Sequence, residues 1–410
     1  MKTDLKKILV VDLDYTLLKS DMLHESFWSA LSSNKSILIF SIFALMRGKA
    51  SLKNYLSLKS HIDPEILPYN QEVISYILSY RKQGGRTALV TASDQSLADQ
   101  VAQHLKIFDE VYGSNRKTNL KGCKKANFLV DRFGDNNFYY MADSVADLKI
   151  WQASSKNVTV NVSSSLKKRV ENLGKPFEHL MKKEMSRYQY IKVLRPHQWL
   201  KNLLVFIPIL RPNHFDYDTL QSSAIAFIAF CFIASSSYII NDLIDLDSDR
   251  RHPRKRERPF ASGSVPITHG IILAIILMTL GVITAALLGA IFIFILLCYY
   301  LLTLAYSVLL KRKIILDICV LAGLYTVRII AGGLATSIGM SIWLLAFSMF
   351  FFLSLAATKR QAELVSMSEN KMHDGQGRGY TVEDLPIISM IGLSSGYISV
   401  LVMALYINSP

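Results

Sequence analysis

The sequence predicts two folds in series: an α/β doubly wound domain carrying a helical cap, then an all-α bundle of membrane spans. Three observations carry this. Short, wholly apolar runs alternate with helical patterns over the first 165 residues, the rhythm of a parallel sheet. Long apolar runs dominate from residue 199 onward. Charge divides the same way: Lys and Arg outnumber Asp and Glu by 30 to 19 over residues 1–195, but by 16 to 13 thereafter. A chain of 410 residues that is 51% hydrophobic, 19% charged and still carries a net charge of +14 is explained by that split. The same composition excludes a disordered chain, a disulfide scaffold and a collagen-like repeat.

The expected strands are residues 7–12 (KILVVD), 86–91 (RTALVT), 138–143 (FYYMAD) and 157–162 (NVTVNV). Unbroken apolar runs of this length fit strands buried on both faces. Helical patterns fall at 70–82, 94–105, 124–133 and 145–152. Residues 19–68 interrupt the rhythm and read as an inserted helical cap. Its apolar piece, 36–46, is too short to span a bilayer; it either touches the membrane surface or is cap core. No apolar signal region precedes the first strand, so this domain is expected in the cytoplasm. Cys123, Cys231, Cys298 and Cys319 show no metal-ligand spacing and read as small thiols, three of them within apolar runs.

Residues 166–198, rich in Lys and Arg, read as an amphipathic linker on an anionic membrane surface. Seven spans are expected beyond it, at about 199–210, 222–240, 267–288, 291–310, 314–335, 342–357 and 385–407. The first is short and broken by Pro208. Basic loops follow the second span (Arg250, Arg251, Arg254, Lys255, Arg256, Arg258), the fourth (Lys311, Arg312, Lys313) and the sixth (Lys359, Arg360, Lys371, Arg378). The positive-inside rule puts these loops in the cytoplasm with the α/β domain, and the C-terminus outside. Charges that follow membrane loops argue against nucleic-acid binding.

Asp12 and Asp14 sit where the first strand ends, the place where parallel sheets hold ligands. Two carboxylates at i and i+2 can converge on one cation and one phosphate; a plain turn is the other reading. Thr91 ends a second strand and offers a hydroxyl. Lys121, Lys124 and Lys125 open a helix, and Asp143 and Asp147 follow a third strand. Phosphoryl transfer needs a nucleophile, an acid–base and positive charge around the phosphate oxygens. This order of motifs resembles the haloacid dehalogenase (HAD) phosphatase superfamily over about residues 5–165, although Ala142 stands where many members have Gly. The resemblance implies Asp12 as nucleophile, Asp14 as general acid–base, and Thr91 and Lys125 as phosphate ligands. It further implies Mg²⁺ on Asp12, Asp14 and Asp143, supported by Asp147.

The second span ends in NDLIDLDSD, with Asp242, Asp245 and Asp249 at i, i+3 and i+7 along one helical face. Clustered carboxylates repel unless a cation neutralises them, and oxygen ligands suit Mg²⁺ shared with substrate phosphates. Lys255, Arg256 and Arg258 follow at once. Acid followed by dense base is what a Mg²⁺–pyrophosphate needs; an ordinary acidic helix end with a topology-setting loop explains the arginines but not the stacked carboxylates. Arg328 lies well inside the fifth span, where charge is costly and invites a functional reading. Lys201, Tyr306, Lys311 and Lys359 are further substrate candidates at span ends, where snorkelling explains them equally well.

From about residue 193 onward this arrangement resembles the UbiA prenyltransferase superfamily. Its usual second Asp-rich motif is not evident; Lys359-Arg360-x-x-Glu363 stands in that region instead, which counts against a prenyl-diphosphate donor. RPHQWLKN, the motif beginning at Asn241 and KRQAEL together look like its polyprenyl-phosphate phosphoribosyltransferase branch, of the decaprenyl-phosphate type. That implies phosphoribosyl pyrophosphate as donor, a polyprenyl phosphate lipid as acceptor, Mg²⁺ as cofactor, catalysis by Asp242 and Asp245, metal on Asp242, Asp245 and Asp249, and substrate contacts from Asn241 and the basic residues named above. The expected domains are 1–165 (HAD-like, cap 19–68), 166–198 (linker) and 199–410 (UbiA-like). UbiA enzymes usually have nine spans, so seven imply a truncated or short member. A transferase of isoprenoid chains to aromatic acceptors keeps the same fold and is the main alternative; a membrane-anchored phosphatase with a silent lipid-binding module and a transporter are others.

Overall fold

The computed structural model describes residues 7–115, 119–180, 187–211, 215–369 and 379–407. Two compact units emerge. One comprises residues 1–189 together with 244–268; the other comprises 190–243 and 269–410.

In the first unit the elements run β1 (Ile8–Val11), α1 (Met22–Ser33), α2 (Ile37–Met46), α3 (Lys49–Lys59), α4 (Gln71–Lys82), β2 (Thr87–Asp94), α5 (Gln95–Leu105), β3 (Glu110–Ser114), α6 (Cys123–Phe133), β4 (Phe138–Ala142), α7 (Leu148–Ala153), β5 (Lys156–Val160), α8 (Ser164–Glu171) and β6 (Phe177–Leu180). All six strands are parallel, in the order β3-β2-β1-β4-β5-β6. Successive strand residues face opposite sides. Leu9 and Val11 enter one core with Leu89, Val101 and Met141, while Ile8 and Val10 enter a second with Leu129, Tyr140 and Trp151. Two buried faces are what the unbroken apolar runs require.

The cap is an insertion with a closed neck. Leu18 bridges Tyr69, the Lys19 amide donates to the Pro68 carbonyl at 2.9 Å, and the Asn70 amide donates to the Leu17 carbonyl at 2.9 Å. Helices α1 to α3 lie between these contacts, within the expected 19–68.

Two strands escaped the sequence reading. β3 (EVYGS) is an edge strand and only partly apolar. β6 (FEHL) lies inside the stretch expected as linker, and it pairs with β5 from Asn157↔Phe177 to Val160↔Leu180. Leu166 and Val170 of α8 are buried in the second core. The residues expected as linker are therefore, up to Leu180, part of the sheet domain: two buried apolar positions and backbone pairing outweigh the basic residues around them. Residues 181–186 lie outside the described residues.

The second unit begins within α9 (Arg187–Leu194) and continues through a 3₁₀ stretch, Pro196–Leu210. Its helices are α10 (Tyr217–Ile244), then, after α11 (Leu246–Arg251) of the first unit, α12 (Ile267–Ala286), α13 (Ala290–Val308), α14 (Ile314–Thr336), α15 (Ile342–Glu369) and α16 (Leu385–Ile407). Among the described residues six helices are long and apolar enough to cross a membrane: α10 and α12 to α16. The expected first span is not among them. Its residues form the 3₁₀ stretch of 15 residues with Pro208 near its end, and twelve residues are in any case too few for an α-helix to cross the hydrocarbon. Val205, Phe230, Phe292, Leu296 and Tyr299 centre the bundle core. Lys371 and Arg378 of the expected sixth loop lie outside the described residues.

Candidate active sites

In the α/β unit, strand order reverses between β1 and β4, so their carboxyl ends open a crevice where α/β sheets take ligands. Asp12 follows β1 and Asp143 follows β4. Ligand atoms of Asp12, Asp143 and Asp147 all lie within 4.8 Å of one another. Lys125, only 2% exposed, donates to Asp12 Oδ1 at 2.8 Å. The same oxygen accepts from the Leu13 amide at 2.9 Å, which fixes the carboxylate's rotation. Asp143 accepts from Thr16 Oγ1 at 3.3 Å, and Asp147 from the Tyr140 hydroxyl at 2.8 Å.

This crowding sets the charges. Burial, then the Asp12 charge, pushes the Asp143 carboxyl up to about 8. Burial and Asp12 push Asp147 up to about 6, against the opposing Lys125. Burial also pushes Asp14 up to about 7, with Asp21 and Asp12 adding to it. Like charges gathered in a poorly hydrated place disfavour ionisation. A divalent cation would relieve all of them, and an all-carboxylate donor set suits a hard cation such as Mg²⁺.

Asp14 stands apart from the converging trio. Its oxygens accept from the Met22 amide at 2.9 Å and from Ser93 Oγ at 2.7 Å. The structure therefore groups Asp147, rather than Asp14, with Asp12 and Asp143. Tyr15 beside it adopts φ +54°, turning the chain sharply out of β1. Thr91 is fully buried, and its hydroxyl accepts from the Ser93 amide at 3.0 Å. Ser93 and Tyr140 were missed in the sequence. Ser93 shares the strand end with Thr91, but an isolated Ser or Tyr carries no signal there.

Residues 244–268 complete this unit. Asp249 is buried and paired with Arg258 at 2.6 Å; burial raises its carboxyl, and Arg258 opposes this. Arg250 places both guanidinium nitrogens on Glu25 of α1, at 2.7 and 2.8 Å, and its Nε on the Ala261 carbonyl at 3.1 Å. Arg251 pairs with Asp63 at 2.7 Å. Gly263, at φ +65°, lies so close to Lys19 and Pro68 that a Cβ would approach their Cβ atoms to 2.8 and 3.1 Å. Asp245 and Lys255 are half-buried, whereas Arg256 is exposed.

In the helical unit, Arg195 pairs with buried Asp242 and lies over the Tyr238 ring at 5.6 Å. Asn241 is half-buried. Arg328 is buried: Nε donates to Asn202 Oδ1 at 3.0 Å, Nη2 to the Tyr299 hydroxyl at 2.6 Å, and Nη1 to the Leu324 carbonyl. Lys201 lies 5.9 Å from the centre of the Tyr325 ring, which also faces Arg328 at 5.6 Å. A second buried cluster forms around Asp317, which accepts from Arg360, from Tyr306 at 2.7 Å and from Tyr380 at 3.0 Å. Arg360 also reaches Glu363 at 2.6 Å. Tyr306, expected to bind substrate, is thus engaged in this closed network. Lys311 is half-buried in the turn between α13 and α14; Lys359 is exposed and lies inside α15, which runs ten residues past it, rather than at a span end as expected. Arg195, Asn202 and Tyr299 were not among the expected site residues; Arg195 and Asn202 lie in the RPHQWLKN run that pointed to them.

The model of the UbiA prenyltransferase family matches residues 212–364. Protein y4nM of Sinorhizobium fredii is 37% identical over 406 residues, covering 98% of this chain and 78% of that one. A decaprenyl-phosphate phosphoribosyltransferase of Mycolicibacterium smegmatis is 41% identical over 179 residues, covering 42% of this chain and 56% of that protein. Among solved structures, a UbiA homolog from Archaeoglobus fulgidus bound to DMAPP and Mg²⁺ is 21% identical at a TM-score of 0.44, covering 53% of this chain and 76% of that one. A substrate-bound phosphoserine phosphatase is 14% identical at a TM-score of 0.29, covering 40% and 90%. With a near full-length relative on one side and the matched helical region on the other, the chain belongs to the UbiA prenyltransferase family.

Proposed function

We propose that the helical domain transfers phosphoribosyl from phosphoribosyl pyrophosphate to a polyprenyl phosphate, and that the α/β domain, a HAD-type phosphatase, then removes the 5-phosphate of the product. The transferase half is carried by the 41% identity to a protein that bears the name decaprenyl-phosphate phosphoribosyltransferase. The phosphatase half is supported by the meeting of Asp12, Lys125, Asp143 and Asp147 at the ends of β1 and β4.

In the transferase, the bond from the sugar's C1 to pyrophosphate breaks as an oxygen of the lipid phosphate bonds to C1. Charge builds on the departing pyrophosphate and on an oxocarbenium-like sugar. The sequence motif assigns Mg²⁺ to Asp242, Asp245 and Asp249, where it would supply charge neutralisation on the leaving group; the helix breaks at Asp245, so the three do not share one helical face, and Asp242 and Asp249 pair with Arg195 and Arg258. Asn241, Lys255, Arg256 and Arg258 grip its phosphates, and Lys201, Lys311, Lys359 and Arg328 serve the remaining anionic groups. Tyr306 acts on the substrate only through the Asp317 network. Allylic diphosphates leave by the same chemistry, so a prenyltransferase with an aromatic acceptor is the second reading, supported by the family's name.

In the phosphatase, Asp12 attacks phosphorus and forms an aspartyl-phosphate while the sugar oxygen departs. Asp14 gives that oxygen its proton and then takes one from the water that hydrolyses the intermediate; its burial, the largest cause of its raised carboxyl, favours the protonated form that the first step needs. Thr91 and Lys125 hold the phosphoryl oxygens. Asp12, Asp143 and Asp147 would hold the Mg²⁺. Both sites act at the cytoplasmic leaflet, the side the basic loops favour.

The test is incubation of the purified chain with labelled phosphoribosyl pyrophosphate, Mg²⁺ and polyprenyl phosphate, followed by mass spectrometry of the lipid. The wild type yields polyprenyl-phosphoryl-ribose, whereas Asp12→Asn accumulates the 5-phosphorylated lipid. No labelled lipid would sink the transferase, and identical products from wild type and Asp12→Asn would sink the phosphatase. Turnover of a prenyl diphosphate with an aromatic acceptor, and not of phosphoribosyl pyrophosphate, would establish the second reading.

A further inference from the structure

The α/β unit holds one helix that no soluble domain would leave bare. In α2, Leu38, Ile39, Phe40, Ile42, Phe43, Leu45 and Met46 are each 50–79% exposed. Only Ile37, Ser41 and Ala44 turn inward, a narrow stripe in which Ile37 packs with Ala30 of α1 and Leu56 of α3. At 100° per residue the exposed apolar side chains cover an arc of roughly 220°. Ser41, the helix's one polar residue, faces inward.

We propose that α2 is an interfacial anchor: it lies in the boundary between lipid headgroups and acyl chains, and it makes the Asp12 site a phosphatase of lipid-borne phosphomonoesters. Three features favour a bilayer over a protein partner. A protein groove takes one stripe of a helix, whereas lipid wets a wide arc. Lys35 stands just before the helix and Arg47 just after it, basic ends suited to anionic headgroups. The six membrane-competent helices keep a bilayer always at hand. Ten residues make a helix of about 15 Å, half the hydrocarbon thickness, so α2 lies along the interface rather than across it.

The anchor is tied to the catalytic edge. Lys53 of α3, which packs on α2, donates to the Ala92 carbonyl at 2.8 Å, between Thr91 and Ser93. The first amide of α1 donates to Asp14. A cap held in the interface therefore keeps the mouth of the site where a phosphate carried on a lipid arrives. This consequence rests on the phosphatase reading; insertion of α2 does not.

Two measurements on the full chain separate them. In the first, Cys123, Cys231, Cys298 and Cys319 are replaced, Phe43→Cys is spin-labelled, and the protein is placed in nanodiscs of phosphatidylcholine and phosphatidylglycerol. Power saturation should show the label open to oxygen and shielded from a nickel chelate; the reverse order overturns the anchor. In the second, Ile39→Ser/Phe43→Ser is assayed in the same nanodiscs on the 5-phosphorylated lipid that Asp12→Asn accumulates, and on p-nitrophenyl phosphate. Loss of two membrane-buried apolar side chains should lower kcat/KM on the lipid by at least about tenfold and leave the soluble ester unchanged. Equal effects on both esters, or on neither, overturn the assignment of lipid substrates. A shielded label with neither ester hydrolysed by the wild type would uphold the anchor and overturn the phosphatase reading alone.

Discussion

Glu25 and Arg250, 225 positions apart in sequence, form a two-pronged ion pair whose side chains are only 2% and 3% exposed. The carboxylate belongs to the cap of the α/β domain. The guanidinium belongs to the segment after α10, one residue past Asp249. Fork-to-fork pairing of this kind fixes position as well as charge.

Removing one partner strands the other as a buried charge, which costs about 3–5 kcal/mol. Glu25→Gln should therefore lower the melting temperature of the α/β domain markedly. Because Arg250 neighbours Asp249, it should also weaken phosphoribosyl transfer. Replacing both partners, as in Glu25→Leu/Arg250→Met, should recover most of the stability but not the transfer rate. Differential scanning fluorimetry and the labelled-lipid assay read the two effects separately.

The carboxylates around Asp12 make stability depend on pH when divalent cations are absent. Asp14 and Asp143 sit near 7 and 8 when folded, against 3.8 for a free side chain. A raised acid binds more protons folded than unfolded, so its stabilisation is complete below about pH 4 and is lost as pH rises through 7 to 8. In chelator, the melting temperature should be higher at about pH 5.5 than at about pH 8.5, by several degrees. Excess Mg²⁺ should remove most of that slope. A flat profile would mean that these groups ionise as freely folded as unfolded, and a slope of opposite sign that folding lowers them.

Lys125→Met deletes the buried cation beside Asp12 while keeping the side chain's bulk. Phosphatase turnover should disappear, and the metal-free domain should lose stability most at alkaline pH, where the carboxylates repel without it. Labelled lipid should still form and retain its 5-phosphate, as in Asp12→Asn. Mass spectrometry of the product checks this.

Arg328→Lys keeps the charge of its span but loses the fork that reaches Asn202 and Tyr299 together. A hydrogen bond to a charged group is worth about 1.5–3 kcal/mol, so kcat/KM for phosphoribosyl transfer should fall roughly ten- to hundredfold. Tyr299→Phe should show a smaller loss of the same kind. Tyr306→Phe, in the Asp317 network, should reduce thermal stability with little change in KM for phosphoribosyl pyrophosphate. Steady-state kinetics alongside melting curves distinguishes these outcomes.

The central strands were readable because burial on both faces leaves them wholly apolar, as in Leu9–Val10–Val11. The edge strands were not: β3 and β6 mix polar and apolar residues, and their place depends on backbone pairing with neighbours far away in sequence. Asp12 and Asp143 were readable from their positions after strands; a lysine at the helix start was readable too, but the choice of Lys125 over Lys124 came from the family resemblance. Ser93 and Tyr140 were not, because their roles arise from what they touch. Glu25 gave no signal either. A lone Glu in an amphipathic helix looks like a solvated side chain until its partner is located. The first expected span failed on length: residues 199–210 would make an α-helix of only about 18 Å, well short of the hydrocarbon thickness, and they run instead as 3₁₀ turns.

Membership of residues 244–268 in the α/β unit has a consequence for biogenesis. Glu25 leaves the ribosome long before Arg250 does. At roughly 5–20 residues per second, the 225 intervening positions take on the order of ten to forty-five seconds to synthesise. During that interval the cap holds a carboxylate in an unfinished setting, and α10 must be made before the missing guanidinium appears. The N-terminal domain thus cannot complete its native structure as an independent nascent unit, and its maturation is timed by synthesis of the first long apolar helix.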